Sequence, residues 1–116
     1  MRRRYSDHAS LGEFEQSLLL ATLHLGEGAY GVAIRREIER RTGRDIAVGA
    51  LYTALERLER KGLVTSRMSE PTPERGGRSK RFYSLRPAGA SALKASRARL
   101  DGMWAGLTPD LRRVRS

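Results

Sequence analysis

Between Arg67 and Arg86 the chain sets six basic residues against two acidic ones, Glu70 and Glu74, and four of the six, Arg75, Arg78, Lys80 and Arg81, crowd around the pair Gly76-Gly77. Guanidinium and ammonium groups at that density suit phosphate oxygens, and adjacent glycines let a backbone come close to a duplex. A second concentration lies in 47–64, AVGALYTALERLERKGLV. Read at helical spacing, Leu51, Leu55 and Leu58 fall at i, i+4 and i+7, while Thr53, Glu56, Arg57, Arg60 and Lys61 lie mostly on other faces. Such a helix can be seated in a core along one stripe and offer a wet, largely basic face to a groove.

The bulk composition supports a polyanion as partner. The 116 residues carry 23 basic and 13 acidic groups, a formal charge of +10, while 39% are hydrophobic, so a folded domain is expected and not a disordered polycation. DNA, RNA and an anionic membrane surface all fit that charge. With no cysteine, disulfides and thiolate chemistry are excluded, and His8 and His24 are too few for a metal cage. The longest apolar run, Leu18 to Leu25, is interrupted by Thr22 and His24 and falls far below the roughly 20 residues of a membrane span. The basic start MRRRYSDHAS lacks the apolar stretch of a secretory signal, so the cytoplasm is the expected location. Paired carboxylates, phosphate-loop glycines and a Ser/His/Asp set are missing in any persuasive form, and no enzyme, metal or cofactor is expected.

The elements that must position the basic residues can be read in order. Residues 1–10, with three consecutive arginines, read as a flexible basic arm. From Leu11 a helical period sets in, with Leu11, Phe14, Leu18, Ala21 and Leu25 on one face and Ser10 with Glu13 as a capping box. A second helix spans about Tyr30 to Thr42 on Tyr30, Ile34 and Ile38, stopped by Gly43, and its other face is dense in Arg35, Arg36, Arg40 and Arg41. A short link leads to the helix of 47–64, closed by Gly62. Two helices joined by a short turn, the second one basic, outline a helix-turn-helix. The runs Leu63 to Met68 and Arg81 to Arg86 read as strands, and SEPTPERGGRSK between them is turn chemistry, so a long hairpin with a basic tip follows. Pro87 opens a last helix to about Leu107, where Leu93, Leu100 and Leu107 recur every seven residues with Met103 and Trp104 beside the seam, a spacing that suits pairing with a copy of itself. Residues 108–116 form a basic tail.

These motifs together resemble the PadR-like winged-helix transcriptional regulators, over about Leu11 to Leu107. The resemblance is carried by Tyr30-Gly31 at the second helix, Gly49-Ala50-Leu51-Tyr52-Thr53-Ala54-Leu55 in the third, and Leu58-Glu59-Arg60-Lys61-Gly62-Leu63-Val64 at its end. Arg75 to Tyr83 in the wing and Leu85-Arg86-Pro87-Ala88-Gly89 before the last helix add to it. It implies a mainly α fold with a small β-hairpin, a winged helix-turn-helix at 11–86 and a dimerisation helix at 87–107, as in the short subfamily. It also implies a homodimeric repressor on operator DNA, released by a small aromatic or hydrophobic effector. Carried over residue by residue, Gly49, Tyr52 and Thr53 would meet DNA with Arg57 on the same helix, and Arg75, Arg78, Lys80 and Arg81 would grip the backbone from the wing.

Some positions depart from the family's pattern. Ala47 and Ala50 stand where a capping hydroxyl and a Thr are frequent, Thr53 replaces a frequent Pro, and Arg86 stands where a capping Thr is common. The lost hydroxyls thin the groups available for reading bases. Tyr52 admits two readings, an aromatic packed against the wing or a hydroxyl facing phosphate. Leu93, Leu100, Met103, Trp104 and Leu107 are the expected dimer contacts, and Trp104 is also, by resemblance, the position that would stack on a planar effector. Two other functions fit the charge: a sequence-neutral architectural DNA-binding protein, and a winged-helix module that docks an acidic protein.

Overall fold

The computed structural model describes residues 11–71 and 79–107, together with residues 112 and 114. The chain runs α1 (Glu13–Leu25), a 3-10 turn (Gly26–Gly28), α2 (Gly31–Thr42), α3 (Val48–Arg60), β1 (Val64–Met68), β2 (Arg81–Leu85) and α4 (Pro87–Trp104). The expected arm, the tail apart from Arg112 and Val114, and the wing tip with Arg75 and Arg78 lie outside the described residues.

Three helices close on one core. Leu18, Leu19 and Ala21 of α1, Ile34 and Ile38 of α2, and Leu51, Ala54, Leu55 and Leu58 of α3 are buried together, with Leu11, Ala29, Ile46, Val64 and Tyr83 completing the cluster. The leucine stripe read from the sequence is therefore the seat of α3, and each side chain taken fully out of water contributes roughly 1.5–3 kcal/mol. Helix ends follow the glycines. Gly43 and Gly62 take left-handed φ values of 75° and 78°. At the end of α3 the Gly62 amide donates to the Glu59 carbonyl and the Leu63 amide to the Leu58 carbonyl, a Schellman closure that turns the chain straight into β1.

Each strand is one residue shorter than the sequence reading, and two helix ends differ by more. Helix α1 begins at Glu13 with Gly12 as its cap, not at Leu11 with Ser10, and Glu15 takes the returning half of the box by accepting the Gly12 amide at 3.2 Å. The reason is Leu11, whose side chain is buried as an anchor ahead of the helix. Helix α4 ends at Trp104, three residues short of Leu107, and the chain turns at Gly106 with φ of 83°.

The hairpin is more firmly tied to the helices than two strands alone would be. β1 and β2 pair antiparallel from Val64 opposite Leu85 to Met68 opposite Arg81. On its other edge β2 bridges the segment before α2, Tyr30 opposite Phe82, with the Tyr83 amide donating to the Ala29 carbonyl at 2.8 Å. This makes the hairpin continuous with the start of α2 and fixes where the wing leaves the body. Burial pushes the Tyr83 hydroxyl pKa above its usual value, although Arg81 pulls the other way. Gly89 brings α4 against the turn after α3: a Cβ there would sit well inside contact with the Leu63 carbonyl oxygen and 2.7 Å from Leu85 Cδ1. Backbone cannot yield as a side chain can, so Gly89→Ala should destabilise the fold by about 1–3 kcal/mol, read as a lower urea midpoint with an unchanged slope.

An ion pair closes α1 onto the end of α3. Lys61 Nζ lies 3.0 Å from Glu15 Oε2, with Arg57 Nη1 at 4.0 Å. Burial raises the Glu15 pKa, but the hydrogen bonds from Lys61 and the Gly12 amide and the charges of Lys61 and Arg57 outweigh it, so the carboxyl sits below its ordinary value. A carboxyl whose pKa falls on folding adds stability above its unfolded pKa and loses it as pH drops through the folded one. Glu15→Gln should therefore cost roughly 1 kcal/mol at neutral pH, screened because Lys61 is part-exposed, and the gap to the parent should close as the pH falls below the carboxylate range in chemical melts.

Candidate nucleic-acid interface

Along α3 the residues opposite the buried stripe are Gly49, Thr53, Glu56 and Arg60, flanked by Val48 and Tyr52 on one side and Ala50 and Arg57 on the other. All eight are exposed. The first two turns thus present a smooth surface, and the charged groups follow from the third turn onward. Glu56 and Arg60 pair with each other at 3.9 Å, and Lys61 points back to Glu15.

Gly49 has no explanation among the described residues. Its backbone is not in the left-handed region, and a Cβ built on it meets nothing within 4 Å. Glycine inside a helix costs up to about 1 kcal/mol relative to alanine, so its presence suits a face that something else must approach closely. Gly31 is the opposite case. A Cβ there would run into the Tyr52 ring and hydroxyl. Tyr52 accordingly lies over the first turn of α2, 41% exposed, a contact that neither reading made from the sequence included. Gly31 and Tyr52, distant in the chain, pack directly on one another.

The base of the wing is built from alternating aromatic rings and cations. Tyr30 and Phe82 meet edge to face at 5.5 Å. Lys80 Nζ stands 4.6 Å from the centre of the Tyr30 ring, and Arg67 Cζ stands 5.1 Å from that of Phe82. Lys80 is also held through its backbone, its amide donating to Ser69 Oγ at 2.9 Å while its carbonyl accepts the Ser69 amide at 2.8 Å. Arg81 Nη1 donates to Ser66 Oγ at 2.9 Å, and that hydroxyl donates to Glu59 Oε2 of α3 at 2.8 Å. Lys80 and Arg81 are thus oriented cations at the hairpin's exit, tied back to α2 and α3.

Sequence reading did not find this scaffold. Tyr30 and Phe82 were visible as motif residues, but nothing in their spacing shows that the two rings touch. Of the four arginines on α2, three are engaged by the chain itself. Arg35 Nε donates to the Ile46 carbonyl at 2.7 Å and stands 3.8 Å from Asp45, while Arg40 and Arg41 share the Glu37 carboxylate. Arg35 is a clamp on the link that sets the angle between α2 and α3. The hydrogen bonds from Arg41 and Arg40 hold the Glu37 carboxyl below its usual pKa despite some burial.

On α4 the expected seam divides. Leu93 is half-buried against the core of its own chain, and Ser96 is buried. Leu100, Met103, Trp104 and Leu107 are 60%, 75%, 44% and 66% exposed, an apolar row with no cover in the described chain. Two shallow clefts lie elsewhere: about 330 Å³ between α1 and the hairpin, including Leu23, Glu27 and Arg67, and about 130 Å³ between α1 and α2. Trp104 lines neither. No helix among the described residues is long and apolar enough to cross a membrane.

Three helices, a two-stranded wing at the C-terminal end of the third and a further helix beyond define a winged helix-turn-helix protein. The profile of the PadR-like family of transcriptional regulators matches residues 19–95, and the chain belongs to that family. Solved structures agree. RosR of H. salinarum is 29% identical, with 91% of this chain and 88% of that one covered at a TM-score of 0.62. A PadR family transcription regulator from Clostridium difficile is 25% identical over 76% of this chain and 88% of that one, at 0.59. A PadR-like transcription factor from Bacteroides fragilis shares the fold at 0.63 and 23% identity, covering 78% and 82%. No curated protein matches the chain.

The two opposed effects of a side chain at position 49 can be separated. Gly49→Ala should raise stability by up to about 1 kcal/mol in thermal or urea melts and weaken binding to duplex DNA about tenfold by fluorescence anisotropy. Unchanged affinity would remove Gly49 from the interface.

Proposed function

We propose that this PadR-like regulator is a homodimeric, operator-specific repressor that acts in the cytoplasm on double-stranded DNA. The observation that carries it is the outward face of α3: a helix fixed along its whole buried stripe, with Gly49, Tyr52 and Thr53 leading and Arg57 behind. A helix of that kind enters the major groove at its N-terminal end. Lys80 and Arg81 lie at the base of the wing, and Arg75 and Arg78 belong to its tip in sequence, where they would reach flanking phosphates. The charge of +10 then supplies long-range attraction and strong salt dependence.

The dimer rests on the uncovered row Leu100, Met103, Trp104 and Leu107. Three large exposed side chains on α4 with Leu107 just past its end stay out of water only against a partner, and a second copy of α4 offers the matching row. Leu93 falls on the inner side, so the dimer seam begins later in α4 than the heptad spacing implies. In this arrangement Trp104 stands where two protomers meet, and a flat aromatic effector stacked on it would alter the spacing of the two α3 helices.

The test is binding to duplexes from the gene's own upstream region against random duplex of equal length. The upstream duplex should compete at least 100-fold better at physiological salt. Log K should fall against log[salt] with a slope of about −0.9 for each phosphate neutralised. Leu100→Glu with Met103→Glu, both at exposed positions, should shift the sedimenting species to the 13.0 kDa monomer and weaken upstream binding without changing the helical signal. Equal competition by random duplex would favour the architectural reading, and no binding at low salt the protein-docking one.

A further inference from the structure

The inference concerns what α3 reads, and it rests on the operator-binding function proposed above. We propose that α3 recognises thymine 5-methyl groups in the major groove, with Val48 as the principal contact on one flank of its exposed face and the Thr53 methyl and Ala50 toward the other.

The argument begins with which side chains reach bases. In a winged helix it is the first two turns of the inserted helix that meet base edges, and discrimination there usually comes from Arg, Lys, Asn or Gln placed bidentate on purines. The first two turns of α3 hold none of these. Ala47, Val48, Gly49 and Ala50 have no hydrogen-bonding side chain, and all four are exposed. Tyr52 and Thr53 are the polar residues that follow, and the Tyr52 hydroxyl sits against Gly31 at the start of α2. The first arginine, Arg57, is more than two turns from the helix start and lies 4.0 Å from Glu15 on α1. Hydrogen-bond readout from this helix end is therefore confined largely to Thr53.

What remains on the surface is apolar. Val48 is 52% exposed at the first helical position, where valine is a poor helix former, and it is not a member of the core cluster. Beside it Gly49 leaves the backbone uncovered, allowing the helix to sink by the depth of a missing Cβ. The charged groups of α3 come only after this apolar head and are paired, Arg60 with Glu56 and Arg57 beside Glu15. An uncharged, close-fitting helix end on a domain of charge +10 is complementary to a groove floor between two phosphate walls. Of the groups on that floor, the thymine methyl is the apolar one, and it is the feature that alkyl side chains read.

The experiment selects duplexes from a random pool and compares the enriched sequence in two chemical forms, one with thymidine and one with deoxyuridine at the half-site positions. Deoxyuridine keeps the O4 acceptor and the pairing and lacks only the methyl. Wild-type protein should bind the deoxyuridine form about fourfold more weakly for each contacted methyl, or about fifteenfold for a two-fold site with one per half. Val48→Ala should lose a similar factor on the thymidine duplex and little more on the deoxyuridine duplex, since side chain and methyl form one contact. Its helical signal should be unchanged because the position is exposed. Equal affinity of the wild type for both forms, with an enriched sequence in hand, overturns the methyl reading and leaves operator binding standing. A pool that enriches no sequence overturns operator specificity, and this inference with it.

Discussion

Everything in this domain depends on the burial of one stripe of α3. Leu51, Leu55 and Leu58 are fully enclosed by α1, α2 and the start of β1. That burial orients the helix about its own axis, and orientation is what function requires, because rotating α3 by one residue would carry Gly49 and Thr53 toward the core and a leucine outward. The leucines do not touch the proposed partner. They decide which residues can.

The second constraint is the joining of the wing to the body. β2 is held on both edges, by β1 and by the bridge to Tyr30, so the hairpin's departure is set by backbone pairing and not by loop chance. The Tyr30–Phe82 pair then holds Lys80 and Arg67 in place, since the charged end of each stands over a ring. Charge in this protein is accordingly of two kinds. Arg35, Arg40 and Arg41 hold internal geometry, as do Lys61 and Arg57 beside Glu15 and Arg60 beside Glu56, whereas Lys80 and Arg67 stand over rings at the base of the wing.

The glycines show how the same residue type answers to different demands. Gly62 supplies a left-handed turn, Gly31 and Gly89 supply room for a ring and a carbonyl, and Gly49 supplies room for nothing among the described residues. A free side chain position that sacrifices helix propensity is informative because the fold does not require it. Together with exposed Val48 it makes the head of α3 smooth and apolar, a surface shaped for close contact and poor in donors.

Periodicity and turn chemistry by themselves determined the element order, the winged-helix class, the buried face of α3, and the role of Gly43, Gly62 and Pro87, because each is a local consequence of spacing or of φ. The start of α1 escaped that reading, since a buried Leu11 ahead of the helix is a tertiary fact. So did the destination of Tyr52, which lies on α2, and the division of the α4 row, in which Leu93 turns inward while Leu100, Met103 and Trp104 stay exposed. A heptad spacing marks one face of a helix but not how far along it the chain's own core extends. Only the tertiary structure decided which cations are clamped and which are offered, because an arginine's partner is chosen by what the fold brings within reach.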